Sequence, residues 1–110
     1  MKNKGKRFDI LSVVTGYDVH AIGRCGEQPI RKGDTFCAVV KYKQRRKLED
    51  FEVPPVREQE WNARLTVVDI HAYEQTLPEL GPGMTGSLVL VGEGAENIEP
   101  GRVLEAPTPA

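Results

Sequence analysis

Five cations crowd one short stretch of the chain: Lys41, Lys43, Arg45, Arg46 and Lys47. Side chains alternate on an extended strand, so residues 41, 43, 45 and 47 would share a face over roughly 20 Å. That spacing suits a phosphate backbone, and Tyr42 and Phe51 are placed to stack on bases. Two other readings stand beside it. Glu49, Asp50 and Glu52 follow the cations and would neutralise them in a solvated hairpin. The same cations also fit an acidic protein partner. Trp61 comes next in the chain. An exposed tryptophan is a favoured interface anchor, and a tryptophan capping the end of a small barrel fits the sequence equally well.

The remaining chemistry-bearing residues are scattered. Cys25, Cys37, His20 and His71 contain no CxxC or HxxxH pair, so their spacing predicts no metal site. A Cys–His nucleophile needs an adjacent base and an orienting partner, which spacing does not supply. Asp18 with His20, and Asp69 with His71, lie two apart, as surface strands commonly place such pairs. No carboxylate pair is distinctive enough for acid–base work. The run Gly92-Glu93-Gly94-Ala95-Glu96 is acidic and precedes no helix, which removes it as a phosphate loop. No Gly-x-x-x-x-Gly-Lys-Ser/Thr loop is present, so the chain alone is expected not to bind GTP. The sequence predicts no catalytic residue, no metal and no cofactor.

Short strands separated by Gly and Pro turns must position these residues. Segments 8–14, 17–24, 35–42, 63–73, 85–91 and 102–104 read as strands. Leu65, Val67 or Val68, Ile70 and Ala72 compete for one face, which predicts a bulge at Val67-Val68. Residues 43–62 carry Pro54-Pro55 and no usable period, and read as a long charged loop. The basic residues 1–7 are expected to be flexible and 106–110 a frayed tail, leaving 8–105 as one domain. Six strands without a convincing helix predict an all-β sandwich or a small closed barrel.

Composition sets outer limits. The chain has 110 residues and a net charge of −1, so it has no overall pull toward nucleic acid. Its charge is unevenly distributed, however. From Asp69 onward there are seven acids, and Arg102 is the only base. Two cysteines make no disulfide framework, which suits a reducing compartment. No apolar run approaches the roughly 20 residues of a membrane helix. No apolar h-region follows the basic N-terminus, so the expectation is a cytoplasmic protein without signal peptide or membrane contact.

From Phe8 to Leu104 the chain resembles the second, β-barrel domain of translational GTPases of the elongation factor Tu type. The resemblance rests on residues in order. Gly23-Arg24 precedes Ile30-Arg31-Lys32-Gly33-Asp34-Thr35-Phe36, similar to the family's G-R-V followed by G-x-I-x-x-G-D-x-V. Leu65-Thr66-Val67-Val68-Asp69-Ile70 is similar to its V-T-x-V-E-M strand. Leu80-Gly81-Pro82-Gly83 leads into Gly86-Ser87-Leu88-Val89-Leu90, and Ile98-Glu99-Pro100-Gly101-Arg102-Val103-Leu104 resembles the closing I-x-x-G-x-V-L. The resemblance implies a six-stranded closed barrel of the translation-protein type. Its pocket positions fall on Asp69 and His71, while Ala72 stands where the family has arginine.

The functional expectation is a non-catalytic binding module, docking a protein or a ribonucleoprotein such as the ribosome. The alternative is an accessory subunit or homo-oligomer outside translation. A small enzyme using Cys37 or a histidine ranks last.

Overall fold

The computed structural model describes residues 5–43 and 56–106. Their strands follow the alternation of apolar and polar side chains. In β1 (Lys6–Thr15), Phe8 and Ile10 turn inward while Arg7 and Asp9 face out. In β2 (Val19–Cys25), Ala21, Gly23 and Cys25 are buried and Arg24 is exposed. The order continues with β3 (Ile30–Arg31), β4 (Thr35–Lys43), β5 (Val56–Ala72), β6 (Gln75–Thr76), β7 (Glu79–Leu80), β8 (Thr85–Glu93) and β9 (Val103–Ala106). One 3-10 turn at Ala95–Asn97 is the only helical element among the described residues.

Hydrogen-bonded neighbours run β4-β9-β1-β2-β8-β5-β6, and β4 also pairs with β5. The six long strands therefore form a ring, and the protein is all-β. The two-residue strands β3 and β7 make a separate ribbon. Inside the ring sit Phe8, Ile10, Ile30, Phe36, Val39, Leu65, Ile70, Leu80, Leu88, Leu90 and Leu104. Each such side chain contributes about 1.5–3 kcal/mol on full burial. Two glycines let the strands come close. A Cβ on Gly23 would lie 1.9 Å from the Asp9 carbonyl oxygen. Gly92, at φ +134°, would place one 1.9 Å from that of Arg64.

The bulge expected at Val67-Val68 is present: the β5–β8 register shifts between Val67 and Asp69, so Val67 and Ile70 both point inward. A second bulge, between Ile10 and Ser12, leaves Leu11 as the extra residue of β1.

Three boundaries differ from expectation. Lys43 and residues 56–62, expected as part of a loop at 43–62, are strand and pair from Val56↔Lys43 to Asn62↔Ala38. The charged composition hid this: β5 passes β8 here, and no second sheet neighbour imposes an apolar face. Lys6 and Arg7 are not a flexible leader but the start of β1, paired with Ala106 and Glu105. Ala106 accordingly closes β9 and is not part of a frayed tail. The parts of these expectations that concern residues 1–4, 44–55 and 107–110 lie outside the described residues.

Candidate partner-binding site

Pairing between β4 and β9 ends at Val40↔Val103, and pairing between β5 and β8 begins at Arg64↔Glu93. Residues 41–43 and 56–61 therefore form a two-stranded arm that runs past the end of the ring. Its two faces follow from register. Val39 lies in the core and Trp61 is directly opposite it, on the same side. Lys41 and Lys43 are two and four residues beyond Val39; the register shift between Lys41 and Tyr42 leaves its extra residue, Glu58, on β5, so β4 keeps its alternation and both lysines share that side. Both lysines are exposed. Among the described residues neither has an acidic partner.

Trp61 is half-buried and packs against the core from the ring's end. The Arg102 guanidinium lies over its ring at 4.0 Å from the centroid. That guanidinium is itself held by the Asn97 carbonyl oxygen at 2.7 Å and by Glu99 at 2.7 Å. Trp61 is thus a cap on the ring with one face covered, and only its margin borders the lysines.

The outer face of the arm is built differently. Glu105, on β9, accepts hydrogen bonds from the Tyr42 hydroxyl and from Arg57. Arg57 also pairs with Glu60. Arg7 stands 3.9 Å from Glu105 and 5.3 Å from the centre of the Tyr42 ring. Burial, reinforced by the hydrogen bond to Glu105, pushes the Tyr42 phenol above its usual range. Tyr42 is therefore locked on the outer face, not presented beside Lys41 and Lys43 for stacking. Arg45, Arg46, Lys47 and Phe51 lie outside the described residues.

Asp69 and His71 are on the convex outside of β5, away from the arm. His71 Nε2 is 3.3 Å from Asp69 Oδ2, and Lys32 Nζ is 3.6 Å from Asp69 Oδ1. His71 Nδ1 is 3.4 Å from Thr76 Oγ1. This Thr–His–Asp chain has the order of a nucleophile, base and orienting acid, a grouping that the spacing of Asp69 and His71 alone does not reveal. Its contacts are long, however, and its side chains open to solvent on a convex surface. Nothing there excludes water or shapes a substrate pocket. Ser87 faces His71 across the β5–β8 ladder on the same surface.

The thiols are apart in role. Cys25 is buried, with Sγ 3.1 Å from the Gln28 carbonyl oxygen, and burial pushes its pKa up. A raised pKa keeps it protonated and unreactive. Cys37 is exposed on β4. Among the described residues no group of three His, Cys, Asp or Glu side chains is placed to hold a metal ion. Among them, too, no helix is long and apolar enough to cross a membrane.

The uneven charge distribution is largely absorbed in cross-strand pairs. Early cations meet late acids at Arg31–Glu79, Lys32–Asp69, Arg7–Glu105 and Arg57–Glu105. Lys41 and Lys43, like Arg24 and Arg64, have no carboxylate partner among the described residues, and the two lysines share one strand face. No family model and no curated protein matches the chain.

Proposed function

We propose that the chain is a non-catalytic binding module that docks an anionic partner, a ribonucleoprotein, through the inner face of the β4–β5 arm. Lys41 and Lys43 make the electrostatic contact, and the margin of Trp61 borders it. The observation that carries this reading is the contrast in pairing. Arg57, Arg7 and Arg102 all have carboxylate partners, while Lys41 and Lys43, like Arg24 and Arg64, have none among the described residues, and the two lysines stand together on one strand face. Two ammonium groups on one strand face, about 7 Å apart, match successive phosphates of an extended strand.

The finer fold assignment belongs to the same proposal: a closed six-stranded barrel of the translation-protein type. The turn before β4 at Gly33-Asp34 and the turn before β9 at Pro100-Gly101 support it, as does the bulged strand carrying Asp69. A cytoplasmic location fits a ribonucleoprotein partner.

Fluorescence anisotropy against a single-stranded RNA homopolymer tests the reading, with an oligoglutamate peptide as the protein-like anion. RNA binding that weakens steeply with salt, and weakens about tenfold in Lys41→Glu/Lys43→Glu, is the expected result. RNA binding unchanged in that variant removes the arm as the site. Preference for the peptide moves the partner class to an acidic protein.

A further inference from the structure

We propose that the open edge of β1, from Leu11 to Thr15, pairs antiparallel with the same edge of a second copy of this chain, Val13 facing Val13. This does not depend on the arm's binding reading, because the edge and the inner arm face share no residue.

Pairing defines the edge. β9 lies beside β1 from Lys6 to Asp9, and the last bonds on that side join Ile10 N–H to the Arg102 carbonyl and Gly101 N–H to the Ile10 carbonyl. Beyond Ile10, β2 is the one strand beside β1 among the described residues. On β2, Gly26 N–H donates to the Arg7 carbonyl of β1, while Cys25 N–H donates away from β1, to the Met84 carbonyl. Even-numbered residues of β2 therefore bond to β1, and the hydrogen-bonded pairs past the bulge are Ser12↔Ile22 and Val14↔His20. Val13 and Thr15 turn their N–H and C=O groups the other way, where no backbone group meets them among the described residues. The Leu11 bulge stands at one end of this edge, and from Ser12 to Thr15 the register is unbroken.

Composition sets this edge apart. The open edges of the arm are guarded by charge, with Lys41 and Lys43 on β4 and Arg57, Glu58 and Glu60 on β5. Leu11-Ser12-Val13-Val14-Thr15 has neither a charge nor a proline, the features that keep natural edges from pairing. An uncharged edge selects neither an acidic nor a basic segment. Its length selects the occupant. The line alongside β1 is closed at Ile10 by the chain at Gly101, and β1 itself turns away at Gly16. A half-turn about an axis normal to the sheet, beside Val13, sets Leu11 of one copy against Thr15 of the other. Each strand then turns away just where the other copy's β9 line begins, so the pairing uses the whole edge and meets no obstruction from Gly101. The contact is isologous, as two-fold dimers require, and Val13 gains a reciprocal pair of hydrogen bonds. Ser12 of each copy faces Val14 of the other, and the exposed Val14 gains cover.

Sedimentation equilibrium of the full chain up to about 0.5 mM tests the proposal. The expected result is a reversible monomer–dimer equilibrium. Two variants at exposed positions read the register. Ser12→Lys/Val14→Lys sets like charges directly across the contact, twice by symmetry, and weakens the dimer at least about tenfold. Ser12→Glu/Val14→Lys sets opposite charges at the same places and dimerises at least as well as the wild type. Lys41→Glu/Lys43→Glu dimerises like the wild type. Hydrogen exchange gives a readout without substitution: the Val13 and Thr15 amides slow as the wild type is concentrated through the transition. A chain that stays monomeric throughout overturns the proposal and leaves the edge to a strand of another protein. A dimer in which the two charged variants behave alike, or in which the Val13 and Thr15 amides exchange as in the monomer, overturns it as well.

Discussion

On the outer face of the β4–β5 arm, Glu105 holds both Tyr42 and Arg57, and Glu60 holds Arg57 a second time. On the inner face, one strand thickness away, Lys41 and Lys43 meet no acid among the described residues; Trp61 borders them on the ring side and Val56 stands directly opposite Lys43. The two faces use similar residue types to different ends. Cations tied to a carboxylate that is largely withdrawn from water hold the arm against the ring. Cations left in water add nothing to stability and remain free for a partner. Register alone separates the two sets, because neighbours along β4 alternate between the faces.

Four substitutions sharpen or break this contrast, and Trp61→Ala carries the largest expected effect. It removes a half-buried cap and the surface beneath Arg102, and should cost about 2–3 kcal/mol of stability. Thermal melting measures this. A near-neutral result would mean that Trp61 is held in place for contact and contributes little as a cap.

Glu105→Ala comes next. It leaves Arg57, Arg7 and Tyr42 without their shared acceptor, and about 1.5–3 kcal/mol is expected for a charged hydrogen-bonded group. Urea unfolding reads the loss. Equal losses from Glu105→Ala and Lys41→Ala would erase the distinction between the faces.

Tyr42→Phe is smaller, about 0.5–1.5 kcal/mol near neutral pH, and it has a pH signature. The phenol's folded-state pKa is raised, so the folded state binds this proton more tightly than the unfolded chain does. The resulting stabilisation is full below the unfolded value of about 10 and is lost as pH rises through the folded one. Cys25 is raised as well and contributes in the same direction. Wild-type melting temperature should fall through the alkaline range, and Tyr42→Phe should flatten part of that fall. An identical alkaline slope in the variant would show that the hydroxyl is not engaged with Glu105.

Lys41→Glu/Lys43→Glu should change stability least, within about 0.5 kcal/mol, as surface substitutions do. Its effect is confined to binding.

The ring was readable wherever one side of a strand is wet and the other dry. Phe8 and Ile10 announce their strand by alternation, Leu88-Val89-Leu90-Val91 announces its own by a near-continuous apolar run, and the crowding at Leu65–Ala72 betrays the Val68 bulge. Residues 56–62 were not readable as strand, because both faces of a two-stranded arm meet solvent and no periodic apolar signal survives in Arg57-Glu58-Gln59-Glu60. The Leu11 bulge was hidden for a related reason: Leu11 looks like one more apolar strand residue until Ile10 and Val13 claim the interior. Lys41, Lys43 and Trp61 were visible as residue types. Their common side, and the role of Glu105, were not. Tyr42 and Glu105 are 63 positions apart in sequence, and only the β4–β9 pairing brings them together.

The most direct test of the two-faced arm is single-stranded RNA affinity measured against salt for the wild type, Lys41→Glu/Lys43→Glu and Glu105→Gln. The account predicts that the lysine variant loses about tenfold in affinity and much of the salt slope while melting like the wild type. It predicts that Glu105→Gln melts earlier yet binds with the wild-type salt slope. Binding that is unaffected by the lysine substitutions, or that follows stability across all three proteins, would contradict it.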